Sequence, residues 1–303
     1  MMILHHYPMS PFSEKVRLMF GYTGGEWLSV LSPEMPPRPI VDPLTGGYRR
    51  ILVGQVGADV FCDTRLICAE LATAAGKPEL SPTALDEQAL ATAAKFEGEV
   101  FWAAVASIPA HKILLKLLRE LPLRQAFRFI KDRAGVARTA VTKPVAPRAA
   151  GPLFDAHLQQ LEAMLAGGQS FLQGAAAGYL DFAAYHTLWF KLVVGGLPMP
   201  DNIPAVAAWY RRMTDFGHGS VRPGDAEDAF AAAREQQPRP LPVSTGADAR
   251  IGKTVVIRPD DYALDGSCGV LVAADEERWI LARETDNLGL VHVHFPRRGF
   301  RLD

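Results

Sequence analysis

The sequence predicts three successive parts: an α/β domain, an all-α helical bundle and a small all-β unit. Three observations carry this. Residues 1–80 alternate short strand patterns with two capped helical stretches. From Leu85 to Asp215 the apolar period becomes helical. After residue 250 short β-branched runs return. The predicted boundaries are 1–80, 81–235, a linker at 236–249 and the β unit at 250–303.

The first part is organised around Ile3–Arg17. Ile3, Leu4 and Tyr7 favour a strand, and Pro8 and Pro11 end it. Pro11 suits the first helical turn, Ser10 the N-cap before it, and Phe12, Val16, Met19 and Phe20 follow at helical spacing. An anion beside such a helix start is stabilised, and a thiol there is shifted toward its thiolate. From this stretch alone, a cap and nothing more is the simpler account of Ser10. Glu26–Leu31 reads as a second strand, and 32–48 as a loop dense in Pro and Gly. Residues 50–53 and 59–62 read as a hairpin around Gly54 and Gly57. Asp63-Thr64 caps a helix from Arg65 to about Ala75. The order βαβ then ββα is thioredoxin-like. Asp63 and Thr64 can accept from an ammonium group while backbone N–H groups take a carboxylate, although plain caps look the same.

The bundle reads as helices over 85–107, 111–133 with a break at Pro122, 152–166, 181–194 and 205–215. The fourth is apolar nearly all round and belongs at the centre. Residues 110–150 carry ten Lys or Arg against Glu120 and Asp132, an excess of +8 in a chain of net charge −1. A solvated face, an anion-steering rim over a cleft and a nucleic-acid patch are the readings; aromatics are not interleaved as nucleic acid would require. The tail reads as strands at 254–257, 269–272, 278–281 and 289–295, too small to stand readily alone. His292 and His294 share a strand face, with Asp260-Asp261 as neighbours for a site; packing is the simpler account.

An apolar fraction of 49% allows buried cores, and the near-neutral charge argues for neither nucleic acid nor membrane. No run of about 18 apolar residues and no signal-peptide pattern occurs. Three cysteines fit a reducing compartment, hence a cytoplasmic protein. No metal is expected: His5 and His6 are strand neighbours and point to opposite faces.

Tyr7-Pro-x-Ser10-Pro-Phe-Ser13-x-Lys-Val-Arg17 resembles the active-site turn of the serine-type glutathione transferase superfamily. Asp63-Thr64 resembles its γ-glutamyl grip, and 177–185, with Asp181, the folding signature of its helical domain. The resemblance implies a glutathione-dependent detoxification enzyme that activates the thiol as thiolate. It implies Ser10 as the donor to sulfur, with Ser13 and Tyr7 as substitutes. Glutathione would lie along Arg50, Ile51, Leu52, Val53, Asp63 and Thr64. A small hydrophobic electrophile would sit between the domains against Pro8, Met9, Trp102 and His111. The dimer usual in the superfamily makes a homodimer the expected assembly. One departure stands out. Leu52 occupies the position of the family's cis-proline, and Gly54 that of a core leucine. Either Leu52 is trans and the edge reshaped, or a bond costing about 2.5–4 kcal/mol is held; Gly54 would cost about 2–5 kcal/mol if its space stayed empty. The alternative is therefore a non-catalytic binding or scaffold protein with an eroded site. Similar tails, with Pro-x-Asp-Tyr and His-Phe-Pro-x-x-Gly-Phe, end some bacterial and fungal transferase-like proteins.

Overall fold

The computed structural model describes residues 1–141, 145–242 and 248–303. Lys143 and part of the 236–249 linker, residues 243–247, lie outside the described residues. The first part runs β1 (Met2–His6), α1 (Pro11–Thr23), β2 (Glu26–Leu31), α2 (Val41–Thr45), β3 (Val53–Val56), β4 (Asp59–Cys62) and α3 (Thr64–Ala75). β1 pairs parallel to β2 and antiparallel to β3, and β3 antiparallel to β4. This is the thioredoxin-like order. α2 falls inside the stretch read as pure loop.

The hairpin differs from expectation. Its turn is at Gly57, where φ is 60°, while Gly54 lies inside β3 opposite Leu4 and Phe61. No void exists at Gly54: a Cβ built there would come within 3.0 Å of Ile67 Cγ1. The Ile67 side chain has taken that space. Among the described residues the one cis peptide is Pro36-Pro37, so Leu52 follows a trans bond.

The helical half comprises α4 (Glu87–Lys95), a π turn at Phe96–Val100, α5 (Phe101–Ala106), α6 (Ala110–Glu120), α7 (Leu123–Thr139), α8 (Pro147–Leu165), α9 (Tyr179–Trp189) and α10 (Pro204–Thr214). Every residue of α9 from Tyr179 to Leu188 is buried. Asp181 accepts from the N–H groups of Gly178 and Leu172 and from Trp209 Nε1, at 3.0, 2.8 and 2.8 Å. Burial nonetheless raises its pKa to about 6. Its work is structural, tying the start of α9 to α10.

Residues 220–235 do not continue the bundle. They form β5 (Ser220–Gly224), parallel to β2, and α11 (Ala226–Glu235), whose Ala229 and Ala233 pack on the sheet. Pro223 and two flanking glycines hid the strand from a sequence pattern; at a sheet edge a proline is tolerated.

The tail forms β6 (Thr254–Pro259), β7 (Ser267–Ala274), β8 (Arg278–Thr285), β9 (Gly289–Pro296) and β10 (Phe300–Leu302). It extends the first sheet. β9 pairs parallel to β4, giving ten strands in the order β10-β6-β7-β8-β9-β4-β3-β1-β2-β5. The β4 edge, an open row of hydrogen-bonding groups in a free thioredoxin-like domain, is thereby closed. β4 serves two cores, as strand alternation dictates. Phe61 faces α1, α3 and the bundle, while Val60 and Cys62 face the tail's Leu271, Val293 and Phe295. His294 Nε2 meets Asp59 Oδ1 at 2.8 Å, and Asp59 also takes Arg239. The His292–His294 face therefore builds no site with Asp260-Asp261; His294 is spent on the sheet junction.

Candidate functional site

The turn after β1 is held from beneath by an ion cluster. Arg17 donates to Pro8 O at 2.9 Å, to Tyr7 O at 3.4 Å and to Glu14 Oε2 at 2.7 Å. It also meets His6 Nδ1 at 3.0 Å, while Glu14 Oε1 meets His218 Nε2 at 3.1 Å. Burial alone would raise the Glu14 carboxyl, but His218 and the Arg17 charge outweigh it and hold it below its ordinary value. Burial, then the Arg17 charge, pushes His6 down to about 3, so it is neutral and can accept from Arg17.

Above this base Ser10 is the N-cap of α1. Its Oγ accepts from the Ser13 N–H at 3.2 Å, which leaves its own proton to donate. Ser10 is 1% exposed, yet it lines a cavity. The Ser13 hydroxyl is enclosed, has no partner among the described residues and lines neither cavity of the site. Its N–H, not its Oγ, serves the turn.

One turn along α1, Lys15 is fully buried between the halves. It pairs with Glu97, donates to the Tyr179 hydroxyl at 2.9 Å, and Tyr179 donates to Glu97 at 2.7 Å. Burial opposes the charge on each ion, and each outweighs it for the other: the Lys15 pKa is raised and that of Glu97 lowered.

Two cavities flank the turn. The first, about 440 Å³, has Ile51, Leu52, Asp63, Thr64 and Arg65 along its floor and Ala91, Ala94 and Glu97 at its side. Its roof is the tail: Asp261, Tyr262, Arg298, Gly299 and Phe300. These belong to the two tail motifs, of which sequence offered a site only to Asp260-Asp261, beside His292 and His294. Arg50 fastens the roof by pairing with Asp261 and lying 4.0 Å from the Tyr262 ring centroid. Asp63 has φ 82°, rarely adopted by a side-chain-bearing residue, and its Oδ1 caps α3 through the Arg65 N–H at 2.9 Å. Among the described residues the second carboxylate oxygen takes no hydrogen bond.

The second cavity, about 380 Å³, lies between Tyr7, Met9 and Ser10 on one side and α5, α6 and α7 on the other. Phe101, Trp102, Phe129 and Phe190 give it apolar walls. The cavities share Phe12, Arg50, Ile51 and Tyr262.

The residues expected from sequence divide clearly. Arg50, Ile51, Leu52, Asp63 and Thr64 line the first cavity; Tyr7, Met9, Ser10 and Trp102 line the second. Val53, Pro8 and His111 line neither. Val53 is buried in β3 facing the tail core, Pro8 is exposed beyond the strand end, and His111 points to solvent from the first turn of α6. Sequence missed Glu97 and Tyr262, whose roles depend on contacts across the chain. It also missed Arg38, Arg49 and Arg133 as cavity residues; the basic excess of 110–150 was the available signal for the last.

No protein-family model and no curated protein matches the chain. Solved structures do. The chain is similar over its whole length to a GST-like protein from Pseudomonas syringae, at 33% identity, with 100% of both chains covered and a TM-score of 0.78. It shares its fold with a glutathione S-transferase from Sinorhizobium meliloti, at 20% identity over 71% of this chain and 88% of that one, with a TM-score of 0.50. A full-length relative above 30% identity, together with the α/β sheet, the bundle and the helix-capped turn, places this chain in the glutathione transferase superfamily.

Proposed function

We propose that the chain is a glutathione-dependent transferase that attacks a small electrophile with the glutathione thiolate. The observation that carries this is the joining of the two cavities at Phe12, Arg50, Ile51 and Tyr262, with Asp63-Thr64 in one and Ser10 in the other. The free oxygen of Asp63 would take the γ-glutamyl ammonium. Thr64, Arg65 and the first N–H groups of α3 would take the adjoining carboxylate. The cysteinyl backbone would run along Ile51-Leu52 and bring sulfur to the Ser10 hydroxyl. A donated hydrogen bond and the positive end of α1 both favour the thiolate; lowering its pKa by two units needs about 2.7 kcal/mol. The sulfur lone pair then forms the S–C bond, and the electrophile's leaving group departs with its bonding pair. Proton release on glutathione binding goes to solvent. The free cysteines Cys62, Cys68 and Cys268 support a cytoplasmic setting.

Leu52 in place of proline favours a second reading, a binding protein that has lost catalysis. Calorimetric titration with millimolar glutathione decides first: no heat removes the enzyme reading. Retention on glutathione resin decides next. A Leu52→Pro variant that binds where the parent does not would favour the eroded site.

A further inference from the structure

The second cavity is lined by five cations, Arg38, Arg49, Arg50, Lys116 and Arg133, and by no carboxylate among the described residues. Some of this charge is compensated from outside the lining. Arg49 pairs with Asp132, Arg50 with Asp261, and Lys116 with Glu120 at 3.0 Å. Arg38 is different. It is 2% exposed, and among the described residues its guanidinium donates only to carbonyls: Pro33 O at 2.9 Å, Glu34 O at 3.0 Å and Arg49 O. Asp42 accepts from the Arg38 backbone N–H, not from its side chain. Arg133 donates to the same Glu34 carbonyl, so two guanidinium groups converge on one neutral oxygen. Asp132, its nearest acid at 3.6 Å, is already shared with Arg49.

Like charges brought together in a partly desolvated pocket repel unless an anion enters. Burial first, then the charges of Arg133 and Arg49, lower the Arg38 pKa to about 10, against the pull of Tyr7 and Asp42. Beside this charged end stand the rings of Phe101, Trp102 and Phe129. A ligand that satisfies both ends has an acidic group and an apolar body.

We propose that the second cavity binds an apolar monoanion, its carboxylate between Arg38 and Arg133 and its body along the aromatic wall. The inference rests on the transferase reading only in making that anion the electrophile; the anion site itself does not depend on it. Lys116 of α6 and Arg133 of α7 thereby acquire a function: they line an anion-selective mouth.

The test is a matched pair of probes, octanoate and 1-octanol, titrated calorimetrically into the full chain with and without saturating glutathione. The expected result is octanoate binding at least about tenfold more tightly, the ratio a charge-assisted hydrogen bond supplies. Arg133→Leu should bring the pair near parity. Arg38→Met should do the same, but Arg38 also braces residues 33–49, so the half-exposed Arg133 is the decisive position. Equal affinities in the parent, or an unchanged ratio in Arg133→Leu, overturn the proposal. Glutathione displacing octanoate competitively also overturns it, because the cations would then serve glutathione's own carboxylates. If glutathione fails to bind while octanoate keeps its preference, the transferase reading falls and the anion site stands.

Discussion

The two cavities share four side chains and differ in charge. The first carries both signs: Asp63, Glu97 and Asp261 face Arg50, Arg65 and Arg298. The second carries cations only among its described lining residues. A zwitterionic peptide end, with ammonium and carboxylate on one carbon, fits the first pattern. A ligand with a single negative charge and a greasy remainder fits the second. The difference follows from what builds them. A helix start, the π turn and the tail's roof supply acids to one, while the 32–50 segment and two basic helices supply cations to the other.

Acid should break both cavities together, with the largest effect of all. His5, His6, His157 and His186 are buried, and desolvation lowers them from 6.5 to about 4, 3, 3 and 4. The folded state keeps them neutral while the unfolded chain binds protons below 6.5, so stability present above 6.5 is lost as pH falls toward 4. Asp181, raised to about 6, acts oppositely: the stability of its protonated form fades as pH rises through 6. The net is an uptake of about three protons on unfolding near pH 5, or roughly 4 kcal/mol per pH unit. Urea midpoints that stay level between pH 7 and 5 would contradict this.

Next in size is Glu97→Leu, which strands the buried Lys15 ammonium between the two halves. The expected cost is about 3–5 kcal/mol in urea unfolding. Adding Lys15→Met should recover most of it; a single variant within 1 kcal/mol of the parent, on the scale of exposed pairs, would show the pair to be idle.

Ser10→Ala sharpens the comparison at the second cavity. It should lower turnover about a hundredfold through loss of one donor to developing charge, with a rise in the bound thiol's pKa by ultraviolet thiolate absorbance. The lost cap adds about 1 kcal/mol of destabilisation. Ser13→Ala keeps the Ser13 N–H and with it the cap, so it serves as the control; equal losses from both variants would show that the Ser10 hydroxyl has no special role.

The smallest effect tests the first cavity by itself. Asp63→Asn keeps the cap to Arg65 but loses the charge, and should raise the glutathione Kd about tenfold. Octanoate affinity should not move. A parallel loss of both ligands would show that the cavities do not recognise them separately.

Much of the site was legible from local pattern, because its parts are local. Ser10 before Pro11, and Asp63 before the α3 apolar run, declare helix starts by chemistry alone. The roof was not, since Tyr262 and Arg298 reach the cavity only when β9 pairs with β4, and parallel pairing leaves no turn signature. Nor could periodicity show that Ile67 fills the space over Gly54. The cations of the second cavity were visible as a surplus but not as an enclosure, because Arg38 and Arg133 meet across two elements far apart in the chain.

The contact from Arg50 to Asp261 spans 211 positions of the chain. Synthesis proceeds from the amino end, so the floor of the first cavity emerges long before its lid. Until β9 docks, Asp63-Thr64 stands open to water and β4 offers a bare strand to any passing chain. Completion of the binding chamber and protection against mispairing are one event, and a chain stopped short of Gly289 misses both.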